Sequence, residues 1–167
     1  MYTTINDFVE HWKGASGGTK KILDALTPES LSEAVGEGHR DLKRMAWHIV
    51  TTIPEMAART GLKLDGPKFD DPIPETIEEI RAGYETLAKS FGEQVEKDWT
   101  DEDLMKEDDM YGEMWQRGKS LAVIIEHEIH HRGQMTVLMR QAGLKVPGVF
   151  GPSKDEWATY GAPPPEI

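Results

Sequence analysis

Three of the six histidines in this 167-residue chain fall within one ten-residue stretch, EHEIHHRGQM at positions 126–135. Neutral imidazole is the commonest side-chain ligand for divalent transition metals. His127 and His131 stand four residues apart, so on a helix they share a face and can address one ion. Gln134, three residues further on, returns to the same face. The letters His127-Glu128-Ile129-His130-His131 also spell H-E-x-x-H, the zinc-protease pattern in which the two outer histidines ligate and Glu128 is the general base. A protease of that kind needs a third ligand downstream. No histidine follows, and the glutamates available, Glu156 and Glu166, stand in a turn-rich tail. No edge strand is evident to bind a peptide, so the protease reading is set aside.

A helical wheel at roughly 100° per residue places His131 about 40° and Gln134 about −20° from His127. Ser120, Val123, Ile124 and Leu138 fall within about 60° of His127 on the same wheel. This predicts that His127, His131 and Gln134 lie along the apolar stripe facing the interior, with Glu128 about 60° from His131 and away from its centre. His130 lies about 60° to the other side, off the stripe's centre. Two adjacent buried imidazoles each need a partner, and protonating both would set like charges together; a divalent ion removes both difficulties. A third ligand has to come from elsewhere: His11, His39 or His48. His48 sits at the edge of its own helix's apolar stripe, with Asp41, Thr52 and Glu55 on its face. His39 follows a glycine-rich turn and reads as a solvated loop residue, and His11 stands beside Trp12. Spacing leaves the three open, with His48 ahead.

Four long segments carry helical periodicity and must position these groups. They run from about Thr4 to Leu26, Arg40 to Thr60, Glu75 to Lys97 and Lys119 to Ala142. KGASGG interrupts the first, so either the helix breaks there or small residues permit close packing. Pro54 lies inside the second and removes one backbone hydrogen bond. A glycine-, proline- and aspartate-rich loop separates the second and third helices. An acidic stretch at 98–117 separates the third and fourth, with an extended pair expected near DDMYGEMWQ. The prediction is all-α: one domain over residues 1–167, a helical bundle with long second and third connections.

A net charge of −11 argues against a nucleic-acid or polybasic membrane surface, both of which need a basic face. No apolar run reaches the ~20 residues of a bilayer span, and no signal peptide is evident, so a cytoplasmic location is expected. The chain has no cysteine, which excludes thiolate ligands, disulfides and a cysteine nucleophile. Thiol chemistry here would need a thiol supplied from outside.

The spacing RxLxxMAWHI at 40–49, the EHEIHHRGQM stretch and the closing PGVFGPSKDEW together resemble the DinB family of metal-dependent bundle proteins, near the YfiT-like thiol transferases. The resemblance spans roughly Ile5 to Trp157. It implies His48, His127 and His131 as metal ligands and His130 as the family's frequent non-ligand histidine. It further implies an up-down-down-up four-helix bundle, usually a homodimer, holding zinc, nickel or a similar divalent ion. Several members use a low-molecular-weight thiol as co-substrate. Three histidines leave a tetrahedral ion one open position, the arrangement of a catalytic site. The expected function is therefore activation of an external thiol toward a small electrophilic substrate, with Gln134 orienting a ligand and Glu55 as an outer acceptor. Two other functions fit the same residues: a metal-dependent hydrolase, and a non-enzymatic metal- or small-molecule-binding stress-response protein.

Overall fold

The structure, a computed structural model, describes residues 1–166. It is mostly helical, with four long helices, α1 (Ile5–Asp24), α2 (Leu42–Arg59), α3 (Ile77–Asp98) and α4 (Arg117–Gln141). The departure from an all-helical chain is one antiparallel pair, β1 (Glu107–Met110) and β2 (Glu113–Gln116). It forms where the extended pair was expected. Tyr111 and Gly112 both have positive φ, 63° and 87°, as a two-residue hairpin turn demands. The Asp109 carboxylate fixes that turn by accepting the Gly112 N–H at 2.7 Å.

Each of the first three helices begins at a side-chain cap that the sequence supplies. Thr4 accepts the Asp7 N–H, Asp41 accepts the Arg44 N–H, and Thr76 with Glu79 closes a capping box. Each cap holds an otherwise unpaired N–H. Glycines 14, 17 and 18 do not break α1, which runs on through them. Close packing is the reason at Gly18: a Cβ there would lie 2.4 Å from Val149 Cγ1 and 2.9 Å from Arg132 Nη1. Pro54 likewise lies within α2 without ending it.

Both α1 and α2 pack against α3 and α4, around one core that includes Phe8, Trp12, Leu42, Ile49, Tyr84, Leu87, Phe91 and Met139. Phe8, Trp12 and Phe91 form an aromatic cluster, with the Trp12 indole N–H donating to the Ala88 carbonyl at 2.8 Å. The α2–α4 contact matters most for chemistry, because it sets His48 opposite His127 and His131. The hairpin braces that contact. Its Asp108 makes a two-pronged ion pair with Arg117 at the start of α4, 2.9 and 3.2 Å. Its tip, through the Tyr111 hydroxyl, donates to Glu55 on α2 at 2.5 Å. The connection between α1 and α2 is also long. It holds a 3-10 turn at Pro28–Ser32 and a flap closed by a bridge between Ala34 and Asp41. No helix among the described residues is long and apolar enough to cross a membrane.

Candidate metal centre

The ligand atoms of His48, His127 and His131 all lie within 4.8 Å of one another. The Nε2 atom of His131 is 3.1 Å from that of His48 and 3.0 Å from that of His127. A tetrahedral ion with bonds of about 2.0–2.1 Å holds its nitrogens roughly 3.3 Å apart. The three rings therefore meet at nearly the spacing that one ion imposes, and no carboxylate or fourth histidine among the described residues joins them.

Gln134 organises the set. Its Oε1 lies 2.7 Å from His131 Nδ1, which makes that nitrogen the N–H and turns the Nε2 lone pair of His131 toward the other rings. Its amide nitrogen lies 3.2 Å from His130 Nε2, so His130 contacts Gln134 and stays outside the cluster. The Thr52 hydroxyl donates to the His48 carbonyl at 2.7 Å, one turn along α2.

The electrostatics favour neutral, ligating imidazoles. Burial is the largest cause holding His48 and His127 down to about 4, and the positive charge of Arg40 and the neighbouring rings push the same way. Burial lowers His131 too, opposed by its bond to Gln134. At neutral pH the three nitrogens carry no proton that a metal would have to displace beyond the tautomeric N–H.

The wheel reading needs one correction. The buried face of α4 is broader than the wheel stripe: with Ser120, Ile124, His131 and Leu138 it also takes in Leu121, Ile125, Glu128, Met135 and Met139, so His131 lies within it and half-buried His127 at its edge. Gln134 is exposed, not interior. The wheel set Glu128 away from the stripe's centre, whereas the structure places it inside the buried face. Glu128 is only 2% exposed, and it accepts a short hydrogen bond from the Tyr84 hydroxyl of α3. Beside it Arg132 donates to the Ala15 carbonyl at 2.8 Å and to the Thr19 hydroxyl at 3.0 Å. Glu128 thus turns into the core, away from the histidines, and H-E-x-x-H here is not a protease motif.

The other residues singled out divide plainly. Glu55 bonds Arg59 and Tyr111 and touches none of the three histidines by hydrogen bond. His11 is exposed and pairs with the Tyr2 hydroxyl. Trp115 stacks edge-on with Tyr111 under Lys119, on the hairpin and away from the centre.

Next to His131 opens a cavity of about 540 Å³. Gln134, Val137 and Leu138 of α4 form one wall; Met45 of α2 and the flap residues Val35, Gly38, His39 and Arg40 form the other. The flap's contribution carried no sequence signal beyond its glycines, since it depends on how the α1–α2 connection folds back.

Comparison with known proteins finds relatives over nearly the whole chain. The model of the DinB family matches residues 1–166. The chain is 38% identical over 167 residues, all of both chains, to YrdA of Bacillus subtilis, described as an uncharacterized protein. It is 47% identical to a DinB-like protein from Bacillus cereus ATCC 10987 of known crystal structure, with a TM-score of 0.86 over 90% of this chain and 100% of that one. The crystal structure of the DinB-like protein YjoA of Bacillus subtilis shares the fold at 21% identity and a TM-score of 0.69, over 86% of this chain and 96% of that one.

Proposed function

The chain belongs to the DinB family, and from that premise we propose that His48, His127 and His131 hold one divalent ion, zinc or nickel, in an enzyme that activates an external thiol. The observation that carries this is the convergence of three neutral Nε2 atoms beside an open cavity, with no fourth protein ligand among the described residues. Three ligands leave a position for a non-protein group, whereas structural zinc is usually closed by four. When bound, such an ion lowers the pKa of a thiol or a water and so supplies a nucleophile at neutral pH.

The protein's own residues do the rest. Gln134 fixes the tautomer of His131, which keeps its lone pair on the cluster. The half-buried setting of the rings excludes protons from them. The cavity walled by Met45, Val137 and Leu138 receives the organic part of a small molecule. We take the bundle to have the family's up-down-down-up order and the functional unit to be a homodimer. The net charge of −11 supports a small-molecule partner over nucleic acid or an anionic membrane.

Two assays on metal-loaded protein separate the chemistries. One offers a panel of low-molecular-weight thiols with a chromogenic aryl halide; the other offers an activated ester with water alone. Turnover in the first that His127→Ala abolishes supports thiol transfer. Turnover only in the second would replace it with hydrolysis. Silence in both, with the metal retained, would leave a binding protein in place of an enzyme.

A further inference from the structure

The cavity beside His131 has one cationic wall. Arg40 lines it from the flap, facing Val137 and Leu138 across the opening. Arg40 makes no ion pair with any carboxylate among the described residues, in a chain that carries 30 acidic residues against 19 lysines and arginines. The remaining lining is largely apolar. Val35 and Val137 are 63% and 55% exposed at the rim, and Met45 and Leu138 are buried at the base. Solvent-facing valines around a free guanidinium make a site for a molecule with an apolar body and an anionic end.

The flap fixes the backbone beside Arg40. The Leu42 N–H donates to the Glu33 carbonyl at 2.9 Å, and Ala34 bridges Asp41, so Arg40 stands at the closed end of a small loop. Asp41, next in the chain, spends its carboxylate on capping α2 through the Arg44 N–H at 2.7 Å and leaves Arg40 unpaired.

We propose that this cavity takes an apolar small-molecule carboxylate, its anionic end held by the Arg40 guanidinium and its body lying on Met45, Val137 and Leu138 toward His131. A planar guanidinium suits a carboxylate because two parallel N–H donors match its two oxygens. The proposal rests on the metal-enzyme reading only in making this molecule a substrate or co-substrate; the binding itself needs no metal.

The test uses hexanoate and hexanamide, equal in shape and different in charge, titrated by calorimetry into protein stripped of metal. Hexanoate is expected to bind roughly tenfold more tightly than hexanamide, as one charge-assisted pair predicts. Arg40→Gln should bring the ratio close to one. Arg140→Gln should leave it, because Arg140 lies on the exposed side of α4, bonded to the Thr136 carbonyl. Equal affinities, an unchanged ratio in Arg40→Gln, or no binding of either probe would overturn the proposal. So would a dimer, seen by sedimentation, that Val137→Asp dissociates while hexanoate fails to bind, since a second copy would then cover the cavity. Metal content measured separately on loaded protein keeps a failed metal reading distinct from a failed cavity. His127→Ala should lose the ion and retain the hexanoate preference.

Discussion

The Oε1 atom of Gln134 stands 2.7 Å from Nδ1 of His131, one turn along the same helix. This contact decides which nitrogen of His131 faces His48 and His127. Gln134→Leu removes the acceptor and frees the ring to rotate or change tautomer. Metal affinity should fall about 10–100-fold, the usual cost of losing such a partner. Gln134→Glu should keep or raise affinity, because a carboxylate accepts the same N–H. Competition with a chromogenic chelator reads both. Equal affinities in wild type and Gln134→Leu would remove Gln134 from the site.

The depressed histidines fix a pH window. His48 and His127 are held down to about 4, against about 6.5 in an unfolded chain. The folded state therefore binds fewer protons than the unfolded one. The resulting stability is fully present above about pH 6.5 and is lost as pH falls toward 4. Protons compete with a metal over the same low range. Dialysis in pH steps followed by elemental analysis should show an occupancy unchanged from pH 7 to about 6 and failing between about 5 and 4. Metal loss centred near pH 6.5 would mean that the rings titrate as exposed histidines do.

Glu128 separates this centre from a zinc protease. Glu128→Gln should leave metal content intact, because its carboxyl points at Tyr84 and not at the cluster. Tyr84→Phe removes the donor to a buried carboxyl oxygen and should destabilise the fold by about 1–3 kcal/mol in denaturant melts. Loss of the metal in Glu128→Gln, with the fold intact, would bring Glu128 back to the site.

The glycines of α1 should respond in opposite directions. Gly14 is exposed, and nothing lies within 4 Å of an added Cβ, so Gly14→Ala should stabilise by about 0.5–1 kcal/mol. Gly18→Ala meets Val149 and Arg132 and should cost about 1–3 kcal/mol. Thermal melts of the two variants check both signs together.

Much of this was legible because helical spacing is a local property. The four long helices, the extended pair at 107–116 and the four-residue step from His127 to His131 follow from neighbours in the chain. His48 was only ahead of His11 and His39, because which helix faces α4 is a matter of packing that no local pattern states. The face of α4 was centred too far toward Gln134 for a related reason. Its buried stripe includes Glu128 and Arg132, whose partners Tyr84, Ala15 and Thr19 come from α3 and α1. Polarity marks such residues as exposed until their distant partners are seen. Arg40 escaped notice because its role depends on a flap folding back over α4.

The central claim is that three histidines from two helices hold one ion, and metal content tests it most directly. Untagged protein would be reconstituted with zinc or nickel, dialysed and assayed by elemental mass spectrometry, with His48→Ala and His127→Ala beside the wild type. The prediction is about one ion per chain in the wild type and loss in both variants, each of which keeps its helical circular dichroism. A wild type that stays empty, or a His48→Ala variant that remains fully loaded, would contradict it.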